Sequence, residues 1–559
     1  MKIVIGLLLI VSCCLKIQAQ DLEQIGKKDA IKVNGSLSLM NVFYAADGIK
    51  SRRPPSTWFV NGSVTFNLYG WSVPLSMTMS QNNRAFNQPF NQYGLSPKYK
   101  WITLHAGYRS MTFSPYTLAG HTFLGGGIEL TPKNYKFAAM YGRMLKAIDE
   151  DTLSGNIQAP SFQRWGWGWK AGYEKDGNGV DVSMFHAKDQ IGSIRYVPEK
   201  SDVKPGENLV VGISGRLKVT KQLNVQWEYA NSAYTRDIRA DIVTEKKSIY
   251  ANLGNLFNYR TSTSNYSAYK VGGTYAFLKY SIGANYERIQ LGYKTMGAYF
   301  FNNDMVNVTF NATGRFLKDK INAGFNIGTQ RNNLQKTEIN TVKRIIGSVN
   351  LTYTPNQKWN FNATYSNFQT STAISQRIQQ FQNADSLRFY QVSQSANGGV
   401  GYNFRSKEKK KGITLNLAYQ VAKNTQSAGS QNNDSKFYNG NLSYRYTITP
   451  KNVGLSIGVN GNQSELSTVN TFSVGPTASV NKSMFKKTLR STISSSYSNV
   501  FNNGKNTSRV LNISFNNSYV LFKKHSFMLN AVIINREATS LTVQKFTEYT
   551  CTVGYTLVF

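Results

Sequence analysis

The feature that most constrains this chain is a hydrophobic period of two, held over long runs and repeated from one end to the other. In Trp58 to Leu68, Trp58, Val60, Val64, Phe66 and Leu68 fall on one face and Asn61, Ser63, Thr65 and Asn67 on the other. Val306, Val308, Phe310 and Ala312 oppose Asn307, Thr309, Asn311 and Thr313 in the same way. So do Trp359, Phe361, Ala363 and Tyr365 against Asn360, Asn362, Thr364 and Ser366, and Ile413, Leu415, Leu417, Tyr419 and Val421 against Thr414, Asn416, Ala418 and Gln420. Successive side chains of a strand point to opposite faces, so each run predicts a strand with one apolar and one polar face.

A soluble sandwich alternates too, and three features separate the cases. The runs are about 10–14 residues long, where strands of soluble proteins average nearer 5 or 6 and a tilted membrane strand needs about 9–11. Tyr, Trp and Phe gather near the ends of the apolar faces, as interfacial girdles require. Short turns (Tyr69-Gly70-Trp71, Lys175 to Asn178, Thr354-Pro355-Asn356, Thr449 to Asn452, Phe485-Lys486-Lys487) alternate with longer polar loops near 81–97, 147–161, 189–206, 236–264, 373–390 and 424–436. The fold class this predicts is all-β: a single large antiparallel transmembrane β-barrel, with short periplasmic turns, long extracellular loops and about 26 strands between Lys32 and Phe559. Within 98–131 the reading is a strand Lys98–Ala106, a turn at Gly107-Tyr108-Arg109, a return strand to Tyr116 and a descending strand from Thr122. Without that hairpin the count is about 24.

The amino terminus predicts export. Lys2 precedes an apolar stretch, Ile3 to Val11, too short to cross a bilayer as a helix, and Ile17-Gln18-Ala19 offers a cleavage site before Gln20. Domains follow as a signal peptide 1–19, a short periplasmic segment 20–31 and a barrel 32–559. Ile10-Val11-Ser12-Cys13 offers the other option, lipidation of Cys13. With cleavage at Ala19 only Cys551 of the three cysteines remains, so no intramolecular disulfide is expected. The formal net charge of +35 would suit nucleic acid, but an exported chain without a basic helix meets anionic lipid head groups, lipopolysaccharide or an anionic solute instead.

At the carboxyl end Cys551, Val553, Tyr555, Leu557 and Phe559 alternate with Thr552, Gly554, Thr556 and Val558. Val553, Tyr555, Leu557 and the terminal Phe559 resemble the signal read by the barrel-assembly machinery. With the Ile17 to Gln20 junction, the Asn/Tyr/Lys-rich strands and the stretch Phe113 to His121 followed by Tyr141-Gly142-Arg143, the whole mature chain resembles the large outer-membrane barrels of the Bacteroidota, TonB-receptor-like or porin-like but without a plug domain. The resemblance implies an architecture and a bacterial cell outer-membrane location; it implies no catalytic residues. TonB-dependent transporters carry a plug of well over a hundred residues before the barrel, and the lipopolysaccharide-inserting barrel carries a periplasmic domain joined by disulfides; this sequence matches neither pattern.

The polar faces supply the candidate lumen-lining residues: Arg164, Lys170, Arg216, Lys218, Lys270, Arg315 and Arg445 against Glu174, Glu228 and Glu287. Lining one lumen, they would favour anions; paired across the wall, they would cancel. Trp165, Trp167 and Trp169 share a face with Ala171 and Tyr173, which points them to lipid and leaves Gly166 and Gly168 to thin the inner wall. Lysines crowd the short turns, Lys133, Lys407, Lys409 to Lys411, Lys451, Lys486, Lys487, Lys523 and Lys524, where they suit inner-leaflet phosphates or a periplasmic partner. Four histidines (His105, His121, His186, His525) and no G-x-S-x-G element give catalysis no footing, so no enzyme activity and no cofactor or metal is expected. Asp149-Glu150-Asp151 lacks a calcium-loop spacing, and Gly125-Gly126-Gly127 precedes no helix.

A barrel of this size is far wider than its own side chains fill. Infolded loops or another protein must occupy it, and the segment 236–264, with Ile249, Leu253, Leu256 and Phe257, is the expected constriction. Two functions fit: a porin-like channel for small anionic solutes, or a plugless barrel serving as a subunit of an outer-membrane export, assembly or surface-anchoring complex with periplasmic or surface lipoprotein partners.

Overall fold

The computed structural model describes residues 31–81, 91–149, 160–195, 203–243, 250, 256–299, 304–332, 343–367, 390–404, 408–424, 435–466, 469–541 and 543–559. The expected signal peptide and most of the segment 20–31 lie outside the described residues, as do Glu150, Asp151, Ile249, Leu253 and Lys407.

The alternating runs are strands, and no α-helix occurs among the described residues. In chain order they are β1 (Ile31–Asp47), β2 (Ser56–Leu68), β3 (Trp71–Ser80), β4 (Gln92–Leu95), β5 (Lys98–Tyr99), β6 (Ile102–Thr112), β7 (Ala119–Leu130), β8 (Tyr135–Leu145), β9 (Arg164–Lys175), β10 (Asn178–Asp189), β11 (Glu207–Lys218), β12 (Leu223–Thr235), β13 (Thr263–Phe277) and β14 (Tyr280–Ile289). They continue with β15 (Met305–Phe316), β16 (Ile321–Arg331), β17 (Lys343–Tyr353), β18 (Trp359–Ser366), β19 (Tyr390–Phe404), β20 (Lys409–Asn424), β21 (Ser435–Ile448), β22 (Val453–Glu465), β23 (Asn470–Met484), β24 (Leu489–Asn502), β25 (Lys505–Leu521), β26 (His525–Ala538) and β27 (Phe546–Val558). Each pairs antiparallel with its neighbours. β4 and β5 share one position between β3 and β6, so the wall has 26 staves.

The first and last strands close the ring. β1 pairs with β2 on one side and with β27 on the other, from Ser36 opposite Val558 to Asp47 opposite Thr547. The terminal residue belongs to this seam: Gly35 N donates to Phe559 O at 2.9 Å, and Phe559 N donates back to Gly35 O at 3.0 Å. Closure removes the row of unpaired N–H and C=O groups that an edge strand exposes, which is what a wall in contact with lipid requires. Val553, Tyr555 and Leu557 point to the same face as Leu37, Leu39 and Phe43 of β1.

One stretch folds differently from its sequence reading. The expected turn at Gly107-Tyr108-Arg109 is absent, and β6 runs through it without a break. Gly107 sits at φ +90° with Tyr93 O in the space a Cβ would take, at 2.4 Å, so this glycine serves a close strand approach rather than a reversal. The reversal falls earlier, at Lys100-Trp101, with Lys100 at φ 50°. Gln92 to Leu95, expected inside the loop 81–97, pairs with β3; Ser96-Pro97 then breaks the stave, because proline offers no N–H to the ladder. The hairpin moved along the chain, so the strand number held. The connection 466–469 and the turn Asn503-Gly504, both at the loop end, are shorter than the long-loop pattern anticipates. Lys409 to Lys411, expected in a turn, begin β20.

The outward face is apolar along its whole course, with Leu39, Phe310, Ile327, Leu417, Ile493 and Val553 all about half exposed. The inward face of β20 to β25 is a carpet of Asn, Ser and Thr. Asn441, Ser456, Asn460, Thr477, Ser479, Ser494 and Ser514 line a shallow polar depression of about 390 Å³ there.

Candidate functional site

Among the described residues the three buried hydrophobic clusters all lie within the sector β6–β14, and they are built by chain that leaves the wall. Between β6 and β7 the residues Phe113 to Leu118 fold inward, although Phe113 to Tyr116 are expected to end a return strand. Phe113 N donates to Leu118 O at 2.8 Å, closing the segment on itself. Ser114 Oγ accepts the Tyr116 and Thr117 N–H groups, each at 3.2 Å, and lies 2.9 Å from Thr117 Oγ1, so a short hydroxyl fixes the turn. Phe113, Ser114, Tyr116, Thr117 and Leu118 are all buried. The Tyr116 hydroxyl donates to Glu287 Oε1 on β14 at 2.6 Å.

That contact defines where the segment runs. β6 and β14 are eight staves apart, roughly 38 Å along the wall at about 4.8 Å per spacing. From Thr112 to Tyr116 the chain reaches at most about 14 Å, plus one tyrosine side chain. The contact therefore crosses the concave side of the wall, and the sector β6–β14 is drawn in around the segment.

A second segment, between β14 and β15, locks the first. The Tyr293 hydroxyl donates to Tyr116 O at 2.7 Å, the Thr295 hydroxyl to Thr117 O at 2.6 Å, and Ala119 N to Gly297 O at 2.9 Å. Its own anchor is Asn208 at the start of β11, which is fully buried. Asn208 Nδ2 donates to Ser232 Oγ (2.8 Å) and Ala233 O (2.9 Å), its Oδ1 accepts Met296 N (3.0 Å), and Ser232 Oγ donates to Lys294 O (2.6 Å). The segment 236–264, the expected constriction, contributes a third piece. Tyr250 and Phe257 are buried against Leu209 and Ala233, while Leu256 stays exposed. At its start Arg239 bonds Asp237 through both carboxylate oxygens and holds that carboxyl below the usual range.

Glycines make the room. A Cβ at Gly168 would lie 2.9 Å from the Phe113 ring, and one at Gly212 would lie 2.8 Å from Thr117 Cγ2. Trp165, Trp167 and Trp169 occupy the opposite face from Gly166 and Gly168, as their alternation implies, with Trp165 exposed and both glycines buried.

Below the segment the wall carries a charged patch. Registered rows place Asp181, Ser214, Glu228, Lys270, Glu287 and Asn307 side by side across β10 to β15. Lys170 Nζ donates to Phe113 O at 3.0 Å and pairs with Asp181 Oδ2 at 3.2 Å. Glu174 accepts Lys136 and lies 3.5 Å from Arg216 Nη2. Asn307 Nδ2 donates to Glu287 Oε2 at 2.9 Å. Pro115 roofs a cavity of about 240 Å³ lined by Glu174, Asp181, Arg216, Glu228 and Lys270.

Six of the ten sequence candidates (Lys170, Glu174, Arg216, Glu228, Lys270, Glu287) thus meet in one patch. Arg164 stands at the loop end, where it forms a bidentate pair with Asp189 at 2.8 and 3.1 Å. Lys218 is exposed two residues beyond Arg216 on the same face of β11, and Arg315 on β15 and Arg445 on β21 are exposed outside the patch. Sequence reasoning counted only glutamates as counter-charges; Asp181 and Asp189 neutralise two of the cations. It also passed over both locking segments. Pro115 was the available signal, since a proline argues against a paired return strand, and the apolar Leu291, Tyr293 and Met296 inside a connection were another.

The histidines are dispersed. His105 Nδ1 lies 2.9 Å from Ser96 Oγ, His121 stacks on Tyr299, His186 Nε2 lies 2.9 Å from Glu207 Oε1, and His525 Nδ1 lies 2.8 Å from the Tyr555 hydroxyl. Among the described residues no group of three or more His, Cys, Asp or Glu could hold a metal ion. Asp149 accepts the Arg195 N–H at 2.9 Å.

No family model matches the chain, and no curated protein does. Among solved structures it is similar to the P pilus usher (PapC) translocation pore, at 12% identity over 95% of this chain and 99% of that one, with a TM-score of 0.38. It is also similar to the copper transporter OprC (8% identity, 95% and 80% covered, TM-score 0.38) and to the FrpB iron transporter from Neisseria meningitidis, F5-1 variant (11% identity, 94% and 82% covered, TM-score 0.34). At such identities and scores the likeness says nothing about what this chain carries.

Proposed function

We propose that the chain is an outer-membrane barrel that passes small hydrophilic solutes, with a preference for anions, through the part of its lumen that the infolded segments leave open. The observation that carries this reading is the ring itself: 26 staves closed edge to edge, apolar outside and polar inside. Residues 1–19 then act as the export signal, cleaved after Ala19 or, with lipidation, ahead of Cys13. Residues 20–31 form a short periplasmic lead, lipid and lipopolysaccharide cover the outer face, and the barrel-assembly machinery reads Val553 to Phe559. Nothing in this reading needs a cofactor, an enzymatic step or nucleic acid. Within the patch most cations have carboxylate neighbours, so the anion preference rests on Lys218, Arg315 and Arg445. Single-channel recording in a planar bilayer tests it. Arg315→Glu with Arg445→Glu should shift the reversal potential under a salt gradient toward cations; an unchanged potential removes the anion preference, and no conductance removes the channel.

A second reading, a subunit of an export, assembly or surface-anchoring complex, is favoured by the short-turn rim. Leu278, Leu317, Phe485 and Phe522 stand far out of the wall there, each followed by a lysine (Lys279, Lys318, Lys486, Lys523). Such tips suit an apolar and acidic partner. Stoichiometric copurification from mild detergent supports the subunit; a lone conducting barrel supports the channel.

A further inference from the structure

We propose that the cavity beneath Pro115 is a binding site for a small zwitterion of the α-amino-acid class. The proposal rests on the channel reading and adds to it a solute class and a place on the path.

The lining decides the chemistry. Three carboxylates (Glu174, Asp181, Glu228) and two cations (Arg216, Lys270) face one space of about 240 Å³. Glu174 and Asp181 already have lysine partners, Lys136 and Lys170, so a simple anion entering the space meets the carboxylate of Glu228, whose buried Oε1 has no hydrogen-bond partner, and a simple cation meets Arg216 and Lys270. A molecule with an ammonium and a carboxylate a few ångströms apart answers both sets at once. The strand register places a carboxylate and a guanidinium side by side. Arg216 is opposite Gln226 and Ser214 is opposite Glu228, so Arg216 and Glu228 are diagonal neighbours, about 7–8 Å apart at the backbone. Both side chains line the one cavity, so a single small molecule can bond to each of them through a hydrogen bond of about 3 Å. Arg216 keeps donors in reserve. Its contact with Glu174 is long, at 3.5 Å, and more than half of its side chain is exposed, while a guanidinium offers five N–H groups. Gln226 and Ser214 add neutral hydrogen-bonding groups to the same wall. The volume lies below the roughly 300 Å³ at which drug-sized pockets begin, which limits the occupant to one small molecule. The roof holds the geometry, since Lys170 ties Phe113 O to Asp181 and Tyr116 ties the far side to Glu287.

The test is calorimetric titration of the folded full barrel in detergent with L-alanine, and separately with acetate and with ethylammonium. A site built for both charges rejects analogues that lack one of them. L-alanine should bind saturably, with each single-charge analogue at least about tenfold weaker. Arg216→Met, at an exposed position, and Glu228→Gln should each weaken alanine by a similar factor, while both variants keep the heat-modifiable migration of the folded barrel. Acetate binding as well as alanine, no saturable alanine binding, or wild-type affinity in both folded variants each overturns the proposal. Bilayer conductance of the same preparation without alanine separates the two readings. Ion current without alanine binding defeats this inference and leaves the channel; alanine binding without ion current defeats the channel and leaves the site.

Discussion

Replacing Asn208 with leucine should free the infolded segments while leaving the wall intact. The side chain is of similar size, so the change removes hydrogen bonds without opening a cavity. Asn208 holds Met296 N at 3.0 Å, Ala233 O at 2.9 Å and Ser232 Oγ at 2.8 Å in a fully buried position. Leaving the buried Met296 N–H unsatisfied costs about 1–3 kcal/mol, and each of the other two bonds contributes about 0.5–1.5 kcal/mol net, so the total loss is about 2–6 kcal/mol. Only the Met296 share of it, about 1–3 kcal/mol, bears on the segment, because Ser232 and Ala233 belong to β12 and the two strands keep their own ladder from Glu207 opposite Thr235 to Lys218 opposite Asn224. Since every 1.4 kcal/mol is a factor of ten, local opening of the 290–297 segment should become roughly 5- to 150-fold more frequent. The segment Phe113 to Leu118 should follow, because Tyr293 and Thr295 hold its carbonyls. Hydrogen exchange followed by mass spectrometry reads this directly: peptides covering 113–118 and 290–297 should lose protection, and peptides from β24 to β26 should not. Unchanged protection in both segments would refute the reasoning, as would a uniform loss around the whole ring.

Removing residues 240–262 should raise single-channel conductance, because Tyr250 and Phe257 fill space inside the wall; an unchanged conductance rejects that segment as a constriction. Gly398→Val and Gly461→Val should be tolerated or stabilise the barrel by about 0.5–1 kcal/mol, since a Cβ at either position meets nothing within 4 Å and glycine weakens a strand; a fall in the folded fraction on urea titration contradicts this. Deleting Phe559 removes the two seam bonds with Gly35 and should slow assembly, seen as a larger unfolded fraction in pulse-labelled membranes.

The wall was legible in the sequence because a period of two is a local signal that burial on one side and lipid on the other impose on every strand. The runs at Trp58 to Leu68 and Ile413 to Val421 are strands for that reason. What lies inside the wall was less legible. Phe113 to Leu118 looks strand-like, since Phe113 and Tyr116 are aromatic, and only its contacts with β9, β10 and β14 turn it inward; those contacts are far away in sequence. Gly107 shows the same limit, for a glycine at positive φ serves a turn and a close strand approach equally well. The charged patch was half visible: six side chains were named from their face alone, but Asp181 and Asp189 acquire meaning only once β9 and β10 are in register.

Both functional readings require the first and last strands to join around a lumen. Ser38 Oγ lies 2.6 Å from Thr556 Oγ1, so cysteines at these positions should bridge. Introduce Ser38→Cys and Thr556→Cys together with Cys551→Ser, oxidise intact membranes, and follow the chain on denaturing gels. A reducible shift in mobility from a chain that stays with the membrane after alkaline extraction is the expected result. Failure of the two cysteines to bridge, or release of the protein into water as a soluble monomer, contradicts the account.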